Sequence, residues 1–373
     1  MKKSVKSGKN NPRKRENLKK ILIVDDSALM RSVLGDIINS DSKFHVEDRA
    51  KDGAEALDLI KQKSYDAVVL DVNMPRMNGI QLLKEIQKNK IRVRVMMSST
   101  DTKEGAKVTM DALELGAIDF IHKPDRVSDC RDENFSKKFL NILAAVCNSN
   151  IPTASKSFSI DEIKSDRKVV EIISKSVGKI TGNKVVAIAS STGGPRALQA
   201  VIPKLPSNLN APVVIVQHMP VGFTASLAER LNSLSQVKVH EAVEGEPLLA
   251  GNVYLARGGV HLKISSSGSR QTIHYEDGPT REGVKPCANY MFESLLNSPY
   301  DQVVCVVLTG MGADGTEGIC NLKNGKNVHV ITQDADSCVV YGMPKAIAKA
   351  GLADQVVPLD NVAQEILMNV GVK

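Results

Sequence analysis

Two serines, a histidine and an aspartate in the second half of the chain each stand within a few residues of the end of an apolar run. Val185-Val186-Ala187-Ile188-Ala189 leads into Ser190-Ser191-Thr192-Gly193-Gly194-Pro195. Val213-Val214-Ile215-Val216 leads into Gln217-His218-Met219-Pro220, and the run Val303 to Leu308 leads into Thr309-Gly310-Met311-Gly312-Ala313-Asp314-Gly315. A serine hydroxyl is a weak nucleophile until a base lies within hydrogen-bond reach. A histidine such as His218 can accept that proton. A carboxylate such as Asp314 can fix the imidazole tautomer and stabilise the imidazolium. Glycines around both sites let backbone N–H groups approach an oxyanion. Each residue alone has a plainer reading: a structural histidine, a turn aspartate, or a Ser-Thr-Gly-Gly phosphate-binding turn at a helix start. Together they read as an acyl-transfer constellation, with Ser190 and Ser191 both in place as the nucleophile.

The first half carries a second constellation, also at the ends of apolar runs. Ile21-Leu22-Ile23-Val24 ends at Asp25-Asp26, Ala67-Val68-Val69-Leu70 at Asp71, Val93 to Met97 at Ser98, and Phe120-Ile121-His122 at Lys123-Pro124. Three carboxylates gathered at one point repel unless a cation neutralises them. Hard oxygen donors suit Mg²⁺, which keeps waters and sits beside phosphate. A lysine and a hydroxyl can hold phosphoryl oxygens, and one carboxylate can accept a phosphoryl group.

Such convergence needs strands that run the same way. Helical segments separate the runs: Met30, Val33, Leu34, Ile37 and Ile38 form one amphipathic stripe, and Ile80 to Gln87, Thr109 to Leu115 and Arg196 to Ile202 read as further helices. Alternating strands and helices imply parallel sheets with right-handed crossovers, so each set of strand ends shares one edge. The expected fold is therefore α/β, with a flavodoxin-like (βα)5 domain first and a doubly wound, mainly parallel-sheet hydrolase domain after it. Phe135, Phe139, Ile142, Leu143 and Val146 mark the last helix of the first domain. The expected organisation is a basic extension over 1–19, a first domain over 20–138 with its last helix continuing to about 147, a linker over 148–183 containing a weak helical pattern from Ile160 to Val177, and a second domain over 184–373.

Composition narrows the function classes. At 373 residues, 42% hydrophobic, the chain can bury two cores. No apolar run approaches the ~20 residues of a membrane span, and no apolar segment follows the basic N-terminus as in a secretory signal. The net charge of +7 is local: residues 1–20 hold nine Lys/Arg against Glu16, a net of +8, which leaves −1 for the remainder. This is a basic tail rather than a basic domain. No C-x-x-C joins the six cysteines, which reads as a reducing, cytoplasmic setting.

Residues 20–138 resemble the receiver domain of two-component response regulators, on Asp25-Asp26, Asp71-Val72-Asn73-Met74-Pro75 with Gly79, Ser98, Phe120 and Lys123-Pro124. The resemblance implies phosphorylation of Asp71 by a histidine kinase. It also implies Mg²⁺ held by Asp26, Asp71 and the Asn73 carbonyl with Asp25 in support, and Ser98, Phe120 and Lys123 as the phospho-switch. Residues 184–373 resemble the catalytic domain of the CheB family of chemotaxis protein-glutamate methylesterases. The matching stretches are Ala187 to Pro195, Gln217 to Pro220 with Phe223-Thr224 and Leu227 to Leu231, Leu308 to Gly312 with Asp314-Gly315, and Ser337 to Val340 with Gly342-Met343-Pro344. The family serine directly precedes Thr-Gly-Gly, which selects Ser191 as nucleophile, with His218 as base, Asp314 as orienting carboxylate and the backbone near Met311 at the oxyanion. The resemblance further implies demethylation of glutamate methyl esters and deamidation of glutamines on methyl-accepting chemoreceptors, with no cofactor for the ester chemistry. The chain departs from the family at Ala189 (usually glycine), Ser190 (usually alanine), Arg257 (usually proline) and Val284 to Asn289 (usually His-Arg-Pro-Ser-Val-Asp). Two rival classes make different demands. A DNA-binding regulator needs a helix-turn-helix and a basic reading helix, which the near-neutral second half does not offer. A non-catalytic chemoreceptor-binding module needs no triad.

Overall fold

The computed structural model describes residues 18–99, 103–124, 126–150, 182–268 and 270–373. Most of the basic extension and of the 148–183 segment, including its weak helical pattern, lies outside the described residues. The N-terminal unit is a five-stranded parallel sheet in the order β2-β1-β3-β4-β5. Its strands are β1 Lys19–Val24, β2 Phe44–Ala50, β3 Ala67–Asp71, β4 Val95–Ser99 and β5 Asp119–His122. The helices α1 Ala28–Ser40, α2 Gly53–Gln62, α3 Gly79–Lys88, α4 Lys103–Glu114 and α5 Glu133–Asn148 cover both faces. Full cover explains why β3 reads as an unbroken apolar run, every residue of it buried. Short polar residues start the helices. The Asp52 carboxylate accepts the Ala54 and Glu55 N–H groups, and Asn78 with Gln81 forms a reciprocal capping box. This is the expected flavodoxin-like order. Strand β2 was hidden because it is an edge strand whose residues alternate in burial.

The C-terminal unit is a seven-stranded sheet, parallel throughout, in the order β14-β13-β12-β6-β7-β9-β8. At its centre β6 Lys184–Ser190 lies between β7 Val213–Gln217 and β12 Gln302–Val307. The flanks are β8 Lys238–Glu241, β9 Asn252–Leu255, β13 Val328–Gln333 and β14 Gln355–Val357. A separate antiparallel ribbon pairs β10 His261–Ser267 with β11 Arg270–Glu276. Helices α6 Gly194–Val201, α7 Phe223–Leu234, α8 Ala288–Ser294, α9 Thr316–Lys323, α10 Met343–Lys349 and α11 Val362–Val370 pack around the sheet. Helix α6 starts two residues before the expected Arg196, because Gly193 takes the cap at φ +77° and Pro195 fits the first turn. A Cβ at Gly193 would also lie 2.6 Å from Val339 Cβ, so glycine is required twice over. Cys305 is a buried strand residue whose thiol burial pushes up, and all six cysteines are free. Among the described residues, no helix is long and apolar enough to cross a membrane.

Candidate active site and its phosphoryl-acceptor control

The three central strands of the C-terminal sheet are neighbours, and this adjacency builds the site. Strand β6 delivers Ser191, β7 delivers His218, and the loop after β12 delivers Asp314, all at the carboxyl edge where open α/β sheets bind ligands. His218 Nε2 lies 2.7 Å from Asp314 Oδ2. The imidazole therefore keeps Nδ1 for a second partner. Asp314 is buried, and each of its oxygens has two donors. Oδ2 also receives the Ala288 N–H at 2.6 Å, while Oδ1 receives Asn289 N–H and Cys287 Sγ–H, both at 3.0 Å. Burial alone would raise the carboxyl pKa, but His218, Cys287 and the Ala288 N–H outweigh it and hold it below the usual aspartate range.

Ser191 is partly exposed, and its backbone is pinned from both sides. Its N–H donates to Thr309 O at 3.0 Å and its carbonyl accepts from Gly194 N at 2.7 Å. Gly310, the residue before Met311, packs against it so closely that an added Cβ would lie 2.8 Å from Ser191 Cβ. Met311 itself is exposed. Ser190, unexplained by the motif, is fully buried and donates to Gln217 Oε1 at 2.7 Å. The Gln217 amide then donates to Ser191 O at 3.0 Å and His218 O at 3.2 Å. The Ser190–Gln217 pair thus ties the backbone of Ser191 to that of His218, while Ser191 remains the accessible hydroxyl. Gln217 sits beside His218 in the sequence, but its polarity alone did not disclose this tie. Thr309 continues the network, accepting Val340 N–H at 2.9 Å and donating to Thr192 O at 3.0 Å. Arg257 stacks on the Tyr275 ring, its guanidinium carbon 4.8 Å from the centroid. Asn289 Oδ1 accepts Gly315 N–H and Gly318 N–H, fixing the turn that holds Asp314.

At the edge of the N-terminal sheet, Asp25, Asp26 and Asp71 offer carboxylate oxygens within 4.8 Å of one another. Lys123 Nζ donates to Asp25 Oδ2 at 2.8 Å and Asp71 Oδ1 at 2.6 Å. Burial pulls the Lys123 pKa down, but the two carboxylates outweigh it and keep the ammonium charged. Ser98 pairs with Asp71 across the strands, and its buried hydroxyl has no hydrogen-bond partner among the described residues. Three hard carboxylates, a buried cation and an unsatisfied hydroxyl fit a Mg²⁺ ion beside a phosphoryl group. Asn73 lies exposed two residues beyond Asp71.

The two edges meet. The Phe120 ring stacks on Phe223 with centroids 4.6 Å apart, and Thr192 Oγ1 donates to Asp119 Oδ2 at 2.5 Å. Burial pushes the Asp119 carboxyl up, partly offset by Thr192 and the Phe120 N–H. Arg230 pairs with Glu114, Nε to Oε1 at 2.5 Å and Nη2 to Oε2 at 2.9 Å. Asn150 donates its N–H to Val339 O and its side-chain amide to Cys338 O. The N-terminal unit therefore meets the turn that carries Ser191, at Thr192.

Similarity to known proteins extends over both units. A family model described as CheB methylesterase matches residues 186–366, and one described as response regulator receiver domain matches residues 21–132. The protein-glutamate methylesterase/protein-glutamine glutaminase of Bacillus subtilis (strain 168) is 40% identical over 352 residues, covering 93% of this chain and 97% of its own. The protein-glutamate methylesterase/protein-glutamine glutaminase 1 of Syntrophomonas wolfei subsp. wolfei is 39% identical over 355 residues, covering 94% and 98%. Among solved structures, the CheB methylesterase catalytic domain of Thermotoga maritima is 40% identical, with a TM-score of 0.49, and covers 50% of this chain and 98% of its own.

Proposed function

Since the chain belongs to the CheB methylesterase family, with a response regulator receiver domain at its N-terminus, we propose that it is the chemotaxis hydrolase that demethylates glutamate methyl esters on methyl-accepting receptors. The enzyme is a carboxylic ester hydrolase of the protein-glutamate methylesterase/protein-glutamine glutaminase class. Ser191 Oγ attacks the γ-carbonyl of the ester while His218 Nδ1 takes its proton, and Asp314 orients the ring and stabilises the imidazolium. The oxyanion forms beside the Met311 backbone, next to Gly310. The proton on His218 passes to the leaving methoxide, and methanol departs. Water then attacks the glutamyl-serine ester with His218 again as base, which regenerates Ser191 and leaves a glutamate side chain. With a glutamine substrate the same steps release ammonia. The observation that carries this reading is the His218–Asp314 contact of 2.7 Å at the strand edge that presents Ser191. Methanol release from methylated receptor tests it: Ser191→Ala is expected to lose activity by at least about 10³-fold. Release at the wild-type rate would refute the assignment.

The receiver controls this site. A histidine kinase transfers a phosphoryl group to Asp71; Asp26, Asp71 and the Asn73 carbonyl would hold Mg²⁺, supported by Asp25. Bound there, the ion supplies charge neutralisation for the transferred phosphoryl. Lys123 and Ser98 hold its oxygens, and Phe120 belongs to the switch. Unphosphorylated, the receiver covers the Ser191 turn through Asp119, Phe120 and Glu114. Phosphorylation shifts the population toward an uncovered state. The enzyme works in the cytoplasm, on the cytoplasmic helices of its receptors.

A further inference from the structure

We propose that Cys287 is a positioning residue for the acyl-transfer reaction, its thiol proton holding the second oxygen of Asp314 so that the first stays aimed at His218. The proposal rests on the reading of Ser191, His218 and Asp314 given above. Cys287 Sγ lies 3.0 Å from Asp314 Oδ1, close for a sulfur donor, and the residue is fully buried. Its backbone is anchored from behind. Cys287 N donates to His261 Nδ1 at 3.2 Å, and His261 Nε2 is 2.9 Å from the Pro279 carbonyl. Those two contacts fix His261 as the neutral ring protonated at Nε2, since one nitrogen must accept and the other donate. A chain of hydrogen bonds thus runs from the Pro279 carbonyl through His261, Cys287 and Asp314 to His218.

The thiol can play only one part in this chain. Burial and the adjacent Asp314 carboxylate together drive its pKa far above the usual thiol value, so it remains S–H at any working pH. It is a donor to Asp314 and not a second nucleophile. A carboxylate with two donors on each oxygen cannot turn about its Cβ–Cγ bond without losing them. Its basicity is also lowered by every donor that stabilises its charge. With the Cys287 proton removed, Asp314 becomes freer to rotate and more basic. It then stabilises the His218 imidazolium more strongly, and His218 must be neutral to act as base.

The test uses the full-length protein phosphorylated with acetyl phosphate and Mg²⁺, with methanol release from methylated receptor followed against pH. Cys287→Ala is expected to lower kcat about tenfold at nearly constant KM, and to move the acid limb of the profile upward by roughly half a pH unit. Cys287→Ser, which restores a donor, is expected to recover most of the lost kcat and return the limb to its wild-type position. Equal effects of alanine and serine, with the acid limb unmoved, would reduce Cys287 to a packing residue and overturn the proposal. Infrared difference spectroscopy of wild type against Cys287→Ser gives a readout that depends neither on turnover nor on the alanine variant folding. The S–H stretch of Cys287 is expected below that of an alkyl thiol in apolar solvent, and a band at the unbonded frequency would also overturn the proposal. A shifted band in a protein that releases no methanol would instead count against the functional reading alone.

Discussion

Reversing one charge at the domain contact is expected to release the enzyme without phosphorylation. Arg230 and Glu114 touch through two atom pairs, at 2.5 and 2.9 Å, with side chains 40% and 28% exposed. At that exposure solvent screens the pair, and its net worth is about 1 kcal/mol, the upper end for surface pairs. Glu114→Arg removes this attraction and replaces it with a repulsion of similar size, a swing of ~2 kcal/mol. The closed-to-open equilibrium then shifts roughly 30-fold toward open, since 1.4 kcal/mol is tenfold. The assay is methanol release from methylated receptor without phosphodonor. Unphosphorylated Glu114→Arg should rise toward, but not beyond, the rate of a fragment beginning near Lys184. Arg230→Glu should behave alike, and the Glu114→Arg/Arg230→Glu double variant should return to the wild-type basal rate, because the pair is restored with its ends exchanged. The gain should also shrink at high salt as the repulsion is screened. Single variants with wild-type or lower basal activity that still respond to acetyl phosphate would show that the contact does not hold the enzyme closed.

Gly310→Ala sets a Cβ 2.8 Å from Ser191 Cβ and 3.1 Å from Ser191 N; displacing the nucleophile should cut kcat about 10²-fold in the phosphorylated enzyme, measured beside thermal unfolding to show the fold persists. Ser190→Ala removes the 2.7 Å bond to Gln217 Oε1 and strands a buried acceptor, so urea unfolding should show a loss of about 1–3 kcal/mol, with Ser191 chemistry retained within roughly tenfold. The Asp314 pKa is depressed in the folded state, so the stabilisation it contributes is complete above the ordinary aspartate value of ~3.9 and fades as pH falls through the lower folded value. Asp314→Asn should therefore flatten the stability loss below about pH 4 in urea titrations, while reducing kcat near neutrality by about 10³–10⁴-fold.

The apolar runs disclosed the strands that carry chemistry because those strands are buried on both faces, and the residue ending each run had to lie at an edge. What the runs could not disclose is adjacency. Nothing local to Ser191, His218 or Asp314 states that β6 lies between β7 and β12. That order comes from crossovers more than twenty residues long, and it is what makes a triad of three strand ends. Edge strands β2, β8 and β14 stayed hidden because half-exposed strands lose the unbroken apolar signature. Gln217, Thr192 and Cys287 stayed hidden for a different reason. Each works through a partner distant in sequence: Gln217 through Ser190, Thr192 through Asp119, and Cys287 through Asp314. A motif shows a residue's type but not the partner that gives it a role. Ser190 illustrates the gain, since its hydroxyl is buried and satisfied by Gln217 in the fold.

The contacts between the two units also bound how strongly a phosphoryl group must act. Strand β5 and its exit carry both ends of the proposed control. Lys123 binds Asp25 and Asp71 on one side, while Asp119 and Phe120 meet Thr192 and Phe223 on the other. A stacked aromatic pair contributes about 0.5–1.5 kcal/mol beyond its buried area, a half-exposed ion pair about 1, and a hydrogen bond to a carboxylate about 1.5–3. On the proposed control, the named contacts hold the closed form by roughly 3–5.5 kcal/mol. Inverting a 99:1 population takes about 5.5 kcal/mol of differential interaction, and a new phosphoryl group drawing Lys123 and Ser98 into one to three charge-assisted bonds supplies an effect of that order. An interface much larger than this could not be released by one phosphorylation, and a much smaller one would leave the enzyme active without it. The ~2 kcal/mol swing expected from Glu114→Arg is a part of that range, so the variant should give partial release, with phosphorylation still able to add the remainder.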